Sequence, residues 1–497
     1  MNQLSFFTNT NDFKNEPLNQ SIVKPQGYKG LAGFHKYWGK KPTESWRFLI
    51  EKLTNKNDLV IDPFLGSGLI AREAVDLNRR FIGIDINPFA IELAQLYLEL
   101  PSLNEYSLAI DNLRKEIKPT IDKSYLLING DIASHYLWEG ETLQKVWTKK
   151  SNKKKELNPT SFDLKLIQTS KNYTSQFTRS PNFFDNSRIN SRSEFTLNAL
   201  FTNRALKNID LMIAAIKNQP KFIQRALMLT LTAASGQMSN MVFAITKRGK
   251  TSGKQSTKIE VGSWVIGYWR PELHFEVNVW NCFENKANKL IKAIKEIEFN
   301  NNKGYSLSIE DVINNVSSSA LILGDGEKLL SQLPANCSTL ILTDPPHGDR
   351  IPYLELSEMW NAILGLNADF ENEIVVSNAL KRGKNTKEYH KKITTIFSHC
   401  ERLLMNNSGY LALMFNAKNK NHWDSLESIE KVTPNLKYLG CYPMNYSAGS
   451  IVQDNRKGGL KTDYVLLFMK TNDLSKLNDN KQKFLSIPGW INDYPIN

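Results

Sequence analysis

The stretch NDLVIDPFLGSGLIAREAVDLNRRFIGIDINPFAIELAQLYLELP, residues 57–101, decides the fold class. Its first part, 57–68, is an apolar strand that runs into a glycine-rich turn, and 69–78 has the apolar spacing of a helix. A second strand over 79–87 and a second helix over 88–101 follow. This order predicts the start of an open α/β domain with a parallel sheet.

The sheet pattern stops after residue 101 and returns near residue 318. The later segments with strand character are 318–326, 338–346, 409–416 and 462–470. The segments between them with helical spacing are 201–218, 221–235 and 279–299, and KPTESWRFLIEKLT (41–54) is a further helix ahead of the first strand. We therefore predict one α/β domain that is split by an insertion over 102–317.

The positive charge of the chain is concentrated in this insertion. The 497 residues carry a net charge of +13, and residues 141–260 contain 21 Lys/Arg against 7 Asp/Glu. Such a stretch fits a polyanion, and its interleaved aromatic residues could stack on bases, although a solvated loop has the same composition. The candidate DNA-binding residues are Lys149, Lys150, Lys153, Lys154, Lys155, Arg179, Arg188 and Arg192.

The remaining composition excludes several classes of protein. The N-terminal residues lack a signal-peptide pattern, and no run of about 18 apolar residues predicts a membrane span. The four cysteines are scattered, which argues against a disulfide framework or a zinc ribbon, and we expect no metal site. We expect a cytoplasmic protein without a membrane partner.

The turn after the first strand, Asp62-Pro-Phe-Leu-Gly-Ser-Gly68, is a candidate cofactor site. Ligands of open α/β sheets bind at the carboxyl ends of the strands, and Gly66 and Gly68 allow close approach to the backbone. Asp85, at the end of the second strand, is placed to accept ribose hydroxyls. The turn has neither a Walker lysine nor the G-x-G-x-x-G spacing, which argues against a triphosphatase and a pyrophosphate-binding dehydrogenase.

A second candidate site, Asp344-Pro345-Pro346, ends the strand predicted over 338–346. Two prolines fix the backbone and remove two N–H donors, so that carbonyl groups and the Asp344 carboxylate remain as hydrogen-bond acceptors. A rigid cluster of acceptors suits a substrate amino group, because hydrogen bonding there makes the nitrogen lone pair available for attack.

Together the two segments resemble the cofactor and catalytic motifs of amino-group DNA methyltransferases, D-P-F-x-G-S-G and [DNS]-P-P-[YFW]. The chain is also similar to a bacterial branch of that family in H-K-Y-W-G-K-K-P (35–42), in D-P-P-x-G-D-x-I-x-Y-x-E-L-S (344–357) and in T-D-Y-V-L-L-F (462–468). The resemblance implies a Rossmann-like, mostly parallel seven-stranded sheet with a reversed last strand, interrupted by a basic, mainly helical insertion.

The resemblance also implies a division of the chain and roles for its residues. Residues 1–101 and 318–472 would form the two halves of the methyltransferase domain, 102–317 the target-recognition region, and 473–497 a tail. The expected cofactor-binding residues are Asp62, Phe64, Gly66, Gly68, Asp85 and Asp325, with Asp131 as a competitor for the last role. Lys36, Tyr37 and Trp38 either line the same pocket or form a packed N-terminal cap.

The expected catalytic residues are Asp344, Pro345, Pro346 and His347. His347 departs from the family pattern, which has an aromatic residue that stacks on the extruded base; Tyr353 or Trp360 could compensate. Asp before Pro-Pro favours adenine N6 over cytosine N4. Cytosine C5 methylation is not expected, because it usually needs a Pro-Cys nucleophile, which the chain lacks.

The resulting expectation is a site-specific methyltransferase that uses S-adenosylmethionine on double-stranded DNA, as the modification component of a restriction-modification system. A separately encoded endonuclease would be its partner, and the nucleoid its location. The alternatives, in order, are a cytosine-N4 enzyme, an RNA amino-group methyltransferase, and an inactive subunit that binds DNA or cofactor.

Overall fold

The structure, a computed structural model, describes the following residues: 28–150, 153–246, 250–251, 254–255, 259–297, 304–306, 308–348, 351–415, 431–445, 462–487 and 489–492. Its α-helices are α1 (Thr43–Leu53), α2 (Leu69–Asp76), α3 (Pro88–Leu98), α4 (Leu103–Glu116), α5 (Lys118–Lys123), α6 (Ser161–Gln168), α7 (Leu197–Leu200), α8 (Asn203–Lys217), α9 (Lys221–Met238), α10 (Val279–Lys295), α11 (Ile309–Ile313), α12 (Gly326–Gln332), α13 (Tyr353–Leu364), α14 (Thr386–Leu403) and α15 (Leu474–Leu485).

The strands form two larger sheets and one short hairpin. The first sheet consists of β1 (Leu59–Asp62), β2 (Arg80–Asp85), β11 (Tyr305–Ser306), β12 (Ser319–Leu323), β13 (Leu340–Thr343), β14 (Tyr410–Phe415), β15 (Leu436–Asn445) and β16 (Thr462–Lys470). The second consists of β3 (Ala133–Glu139), β4 (Thr142–Lys150), β5 (Lys153–Leu157), β6 (Val242–Ile245), β9 (Glu260–Val261) and β10 (Leu273–Val277). The hairpin is β7 (Lys250–Thr251) with β8 (Lys254–Gln255).

The first sheet carries the two candidate motifs. Its strand order is β11, β12, β2, β1, β13, β14, β16, β15. The strands from β11 to β14 pair in parallel, whereas β16 runs antiparallel to both of its neighbours. Within the described residues the sheet therefore has eight strands where the family resemblance implies seven, because the two-residue strand β11 extends one edge.

Both faces of the first sheet are covered by helices, which explains why the first three residues of β1 are apolar. Leu59 and Ile61 point into a core shared with α14, whereas Val60 points into the opposite core, shared with α1 and α2. Successive side chains of a strand alternate between the faces, so a doubly covered strand is buried at every position. All four residues of β1 are buried.

The region predicted as a mainly helical insertion differs from that expectation, because it also contains the whole six-stranded sheet. All its strand pairs are antiparallel. Its helices α8, α9 and α10 do not pack by themselves; they share one hydrophobic core with α3 and α13. The end of the region also departs from the predicted limit at 317, since β11 pairs with β12 of the first sheet.

The predicted C-terminal tail contains helix α15. Leu477 and Phe484 of this helix are buried in the core on the α1 side of the first sheet. Burial of these two side chains attaches the segment to the α/β domain. Of the predicted domain 1–101, residues 1–27 lie outside the described residues.

Candidate active site

The two motifs meet at the carboxyl edge of the first sheet. Strands β1 and β13 are hydrogen-bonded neighbours, with Val60 opposite Leu340. The hydroxyl of Thr343, the last residue of β13, donates a 2.7 Å hydrogen bond to Oδ1 of Asp62, the last residue of β1. The cofactor turn and the Asp-Pro-Pro segment therefore start from adjacent, directly bonded strand ends.

The cofactor turn is held by two carboxylates. Asp62 Oδ1 accepts the Phe64 amide at 3.0 Å, and Asp85 Oδ2 accepts the Gly66 amide at 2.7 Å. Gly66 has φ +54°, in the left-handed region that glycine adopts without strain. Asp85 Oδ1 also accepts the Asn87 amide, at the start of α3. The end of β2 and the turn after β1 thus form one rigid unit.

Gly68 has a packing role in this structure. A Cβ at this position would lie 2.3 Å from the Ala94 Cβ, and the residue has φ +75°. The absence of a side chain lets α2 approach α3 closely. Gly68 is not among the residues that line the cleft described next.

A cleft of about 890 Å³, including its open mouth, lies between the two motifs. Of the sequence-predicted residues, those that line it are Tyr37, Trp38, Asp62, Phe64, Gly66, Asp85, Asp344 and Pro346. Additional lining residues include Lys40, Lys41, Asn87, Tyr353 and Glu373.

The cleft is acidic, and burial perturbs its carboxyl groups. Burial raises the pKa of Asp62 to about 7, in spite of hydrogen bonds from Thr343 and the Phe64 amide. Burial likewise raises the pKa of Asp85 to about 7. The pKa of Glu373 is also raised by burial, although Arg382 lies beside it. Such a site disfavours additional anions and favours a cationic ligand.

The Asp344 carboxylate is contacted on both oxygens. Oδ1 lies 3.1 Å from Nε2 of His347, and Oδ2 lies 3.4 Å from Nζ of Lys41. The Lys41 ammonium in turn forms a 2.6 Å ion pair with Asp463 of β16. His347 therefore contacts Asp344 and is not among the residues that line the cleft. Farther along the motif, the Pro346 carbonyl accepts the hydroxyl of Tyr389.

Comparisons with known proteins agree with these motifs. Residues 7–96 match a family model described as DNA methylase, for amino groups at N6 and N4. This part of the chain is similar to the amino-group DNA methylases.

Curated relatives of this methylase family match limited parts of the chain. The type II methyltransferase M.MjaII of Methanocaldococcus jannaschii is 27% identical over 144 residues, which is 28% of this chain and 27% of that protein. M.HpaI of Haemophilus parainfluenzae is 33% identical over 120 residues, or 22% of this chain and 37% of that protein. The chain thus spans about a quarter to a third of the length of these relatives.

One solved structure, TTHA0409 from Thermus thermophilus, covers 30% of this chain and 53% of its own at 15% identity. Its TM-score is 0.19, which is too low to bear on the fold. A complex of TTHA0409 with S-adenosyl-L-methionine gives a TM-score of 0.17.

The other residues that the methylase resemblance implicates lie at different distances from the cleft. Asp325 caps α12 by accepting the Glu327 amide, while Gly324 and Gly326 on either side of it line the cleft. Asp131, its competitor, binds Asn129 in a turn away from the cleft lining. The placement of the two groups favours Asp325.

Lys36 and Trp360 differ from their predicted placement. Lys36 Nζ donates to the Trp264 carbonyl at 3.2 Å and lies 4.7 Å from the centre of the Trp264 ring, so it packs on the insertion. Trp360 is only 1% exposed and stacks on Trp38 at 4.8 Å, which leaves no face for a base. Tyr353 lines the cleft and stacks on Tyr37 at 5.7 Å, so it is the better aromatic candidate.

The basic stretch contains a strand hairpin with exposed lysines. Strands β4 and β5 place Lys149 opposite Lys154 and Lys150 opposite Lys153. The side chains of Lys149, Lys154 and Lys155 are exposed. Arg188 and Arg192, in a separate turn, are also exposed. Like charges opposite each other repel and destabilise a strand pair. An anionic partner would reduce this repulsion.

Arg179, Tyr173 and Phe183 of the basic stretch make structural contacts within the protein. The Arg179 guanidinium pairs with the buried Glu358 of α13 at 2.6 Å. Phe183 is 5% exposed and packs edge-on against Tyr268, and the Tyr173 hydroxyl donates to Asp210. These groups anchor the basic segment to the core and are not a platform for bases.

Proposed function

We propose that this protein is an S-adenosylmethionine-dependent DNA methyltransferase that modifies the exocyclic amino group of an extruded base, adenine N6 in first place. One observation carries the proposal: Gly66 and Asp344 line the same cleft, and Thr343 at the foot of the Asp-Pro-Pro segment bonds Asp62 at the foot of the cofactor turn. A ligand held by the turn would therefore lie beside the acceptor cluster.

The residues of the cleft fit the proposed cofactor. S-Adenosylmethionine carries a sulfonium and an ammonium group, and the buried carboxyl groups of Asp62, Asp85 and Glu373 suit a ligand of positive charge. Gly66 leaves room beside the backbone, and Asp85 keeps lone pairs for ribose hydroxyls. When bound, the cofactor supplies a methyl group that an amino lone pair can attack.

Asp344 and the Pro345 carbonyl would act on the target base. As acceptors they would orient the amino group, hold its protons and direct its lone pair toward the cleft. The negative charge of Asp344 also stabilises the positive charge that develops on the nitrogen during methyl transfer. Tyr37 and Tyr353 would wall the site against water, and Tyr353 would offer its ring to the base.

The basic hairpin would bind DNA. Turning a base out of a duplex costs a few kcal/mol, and phosphate contacts made by Lys149, Lys154 and Lys155 would offset part of this cost. Arg188 and Arg192 would extend the contact. In this proposal the target-recognition region lies within 102–317, without β11, which belongs to the first sheet, and separates the two halves of the methyltransferase domain.

Asp before Pro-Pro favours adenine N6, and cytosine N4 is the alternative. The relatives that match are type II methyltransferases, which supports a role as the modification component of a restriction-modification system with a separately encoded endonuclease.

The test is transfer of an isotopically labelled methyl group from S-adenosylmethionine to unmethylated genomic DNA, followed by mass spectrometry of the nucleosides. We expect N6-methyladenine from the wild type and none from Asp344→Ala, which removes the side-chain acceptor. Labelled N4-methylcytosine would select the cytosine alternative, and labelled tRNA with unlabelled DNA would select an RNA substrate. Cofactor binding without any transfer would select the inactive subunit.

A further inference from the structure

Two sequence motifs outside the cofactor turn and the Asp-Pro-Pro segment meet at Asp344. Lys41 belongs to H-K-Y-W-G-K-K-P, just before α1, and Asp463 belongs to T-D-Y-V-L-L-F in β16. Lys41 Nζ lies 2.6 Å from Asp463 Oδ2 and 3.4 Å from Asp344 Oδ2. The Lys41 side chain is 8% exposed and that of Asp463 is 2% exposed.

A buried ion pair of this kind needs an explanation other than stability. Removing two charges from water costs several kcal/mol per ion, and an apolar pair of similar size often stabilises a protein equally well. We therefore look for the purpose of the Lys41–Asp463 pair in what it positions. The Lys41 ammonium of this pair also faces the carboxylate of Asp344.

We propose that Lys41, held in place by Asp463, is the positioning residue that fixes the Asp344 carboxylate in the orientation that receives the target amino group. The inference rests on the proposed methyltransferase function. Asp344 is then held on Oδ2 by Lys41 and on Oδ1 by His347, which limits rotation of the carboxylate. A fixed acceptor avoids reorganisation when the base enters.

The charges of this arrangement are compatible with catalysis. Lys41, Asp463 and Asp344 together carry one net negative charge, so the group still favours a cation on the attacking nitrogen. Lys41 lies closer to Asp463 than to Asp344, so its positive charge mainly offsets the negative charge of Asp463. Among the described residues, the titratable neighbours include Asp62 and His347 near Asp344, and Tyr28 near Lys41.

The test compares Lys41→Arg, Lys41→Met and the double variant Lys41→Met/Asp463→Asn, with Lys56→Met as a control for loss of one exposed positive charge. The double variant leaves no unpaired buried Asp463 and guards against simple misfolding. For both Met variants we expect kcat to fall about 100-fold, the loss typical of a misplaced reacting group. The KM for DNA and the Kd for S-adenosylmethionine should stay within about threefold.

Lys41→Arg keeps the positive charge and should have a kcat within about tenfold of the wild type. If Lys41 had only a structural role, kcat in the Arg and Met variants would follow their stabilities alone. Unchanged kcat in Lys41→Met/Asp463→Asn would overturn the proposal. A large change in cofactor Kd would also overturn it, because Lys41 would then be a cofactor ligand.

A second measurement does not depend on methyl transfer. A double-mutant cycle of Lys41→Met and Asp344→Asn, read by thermal unfolding, measures whether the two side chains interact. We expect clear coupling, and additive effects would reject the contact. If the wild type transfers no methyl group, the proposed function fails while this cycle still decides whether Lys41 fixes Asp344.

Discussion

Binding of S-adenosylmethionine should release protons from the cleft. Asp62 and Asp85 each have a pKa near 7 because of burial. At pH 7 each is about half protonated, against about 0.1% for an aspartate with an ordinary pKa of 3.9. A cationic ligand favours the ionised forms, so binding should expel about one proton at pH 7 and about 1.8 at pH 6 from the two carboxyl groups.

Because binding releases protons, the affinity for S-adenosylmethionine should depend on pH. Groups with raised pKa values oppose binding of a cation while they are protonated, so binding should strengthen as the pH rises through 7. Two such groups predict a gain of about 30-fold in affinity between pH 6 and pH 7, and Asp85→Asn should reduce it to about fivefold. The ammonium group of the ligand stays protonated in this range.

Isothermal titration calorimetry in two buffers of different ionisation enthalpy measures the proton release directly. S-Adenosylhomocysteine, which lacks the sulfonium charge, is the matched control and should release fewer protons. A release below about a quarter of a proton at pH 6, with flat affinity from pH 6 to 7, would refute the electrostatic reasoning.

Three further predictions concern catalysis, DNA binding and packing. Asp344→Ala should lower kcat at least about 100-fold in a methyl-transfer assay, with cofactor affinity retained in calorimetry; unchanged kcat would remove Asp344 from the site. Alanine at Lys149, Lys154 and Lys155 should reduce the slope of log K against log salt by about 2.7 in DNA-binding titrations, and equal changes at exposed Lys56, Lys115 and Lys289 should not. Gly68→Ala should destabilise the protein by about 1–3 kcal/mol in thermal unfolding, because its Cβ would overlap Ala94; an unchanged Tm would show that α2 shifts freely.

Local periodicity predicted the elements around both motifs. The helix predicted over 88–101 is α3 (Pro88–Leu98), and the strand predicted over 462–470 is β16 (Thr462–Lys470). In these segments the apolar pattern, the Asn87 cap and the proline at the helix start all favour the same structure.

The second sheet could not be predicted from the sequence. Charged residues obscure the apolar pattern of its strands, and the strands pair with partners that are distant along the chain. The stretch 145–159 looks like a basic loop, yet most of it forms β4 and β5. Strand β3 pairs with β10, from Glu139 opposite Leu273 to His135 opposite Val277, and no local pattern indicates such a partner. The burial of Phe183 could not be predicted for the same reason, since it depends on the tertiary fold.

The predicted cofactor and catalytic segments lie in one cleft, but the groups that complete it come from remote parts of the chain. Lys41 and Asp463 lie in motifs that carry the family resemblance, yet the sequence alone indicates no role for these two residues. Glu373 had no sequence signal, because a single acidic residue in a polar stretch has the appearance of a solvated side chain. Only the fold brings them beside Asp344 and Asp85.

The hydrophobic core that α8, α9 and α10 share with α3 and α13 has a consequence for engineering. Helix α3 follows Asp85, and α13 lies shortly after the Asp-Pro-Pro segment, so both motif helices contribute side chains to the same interior as the inserted region. Chimeras that replace 102–317 as a whole with the corresponding region of a similar protein would expose or overfill that interior. Retargeting would have to be confined to the outward-facing hairpin and turn, with the buried scaffold left native.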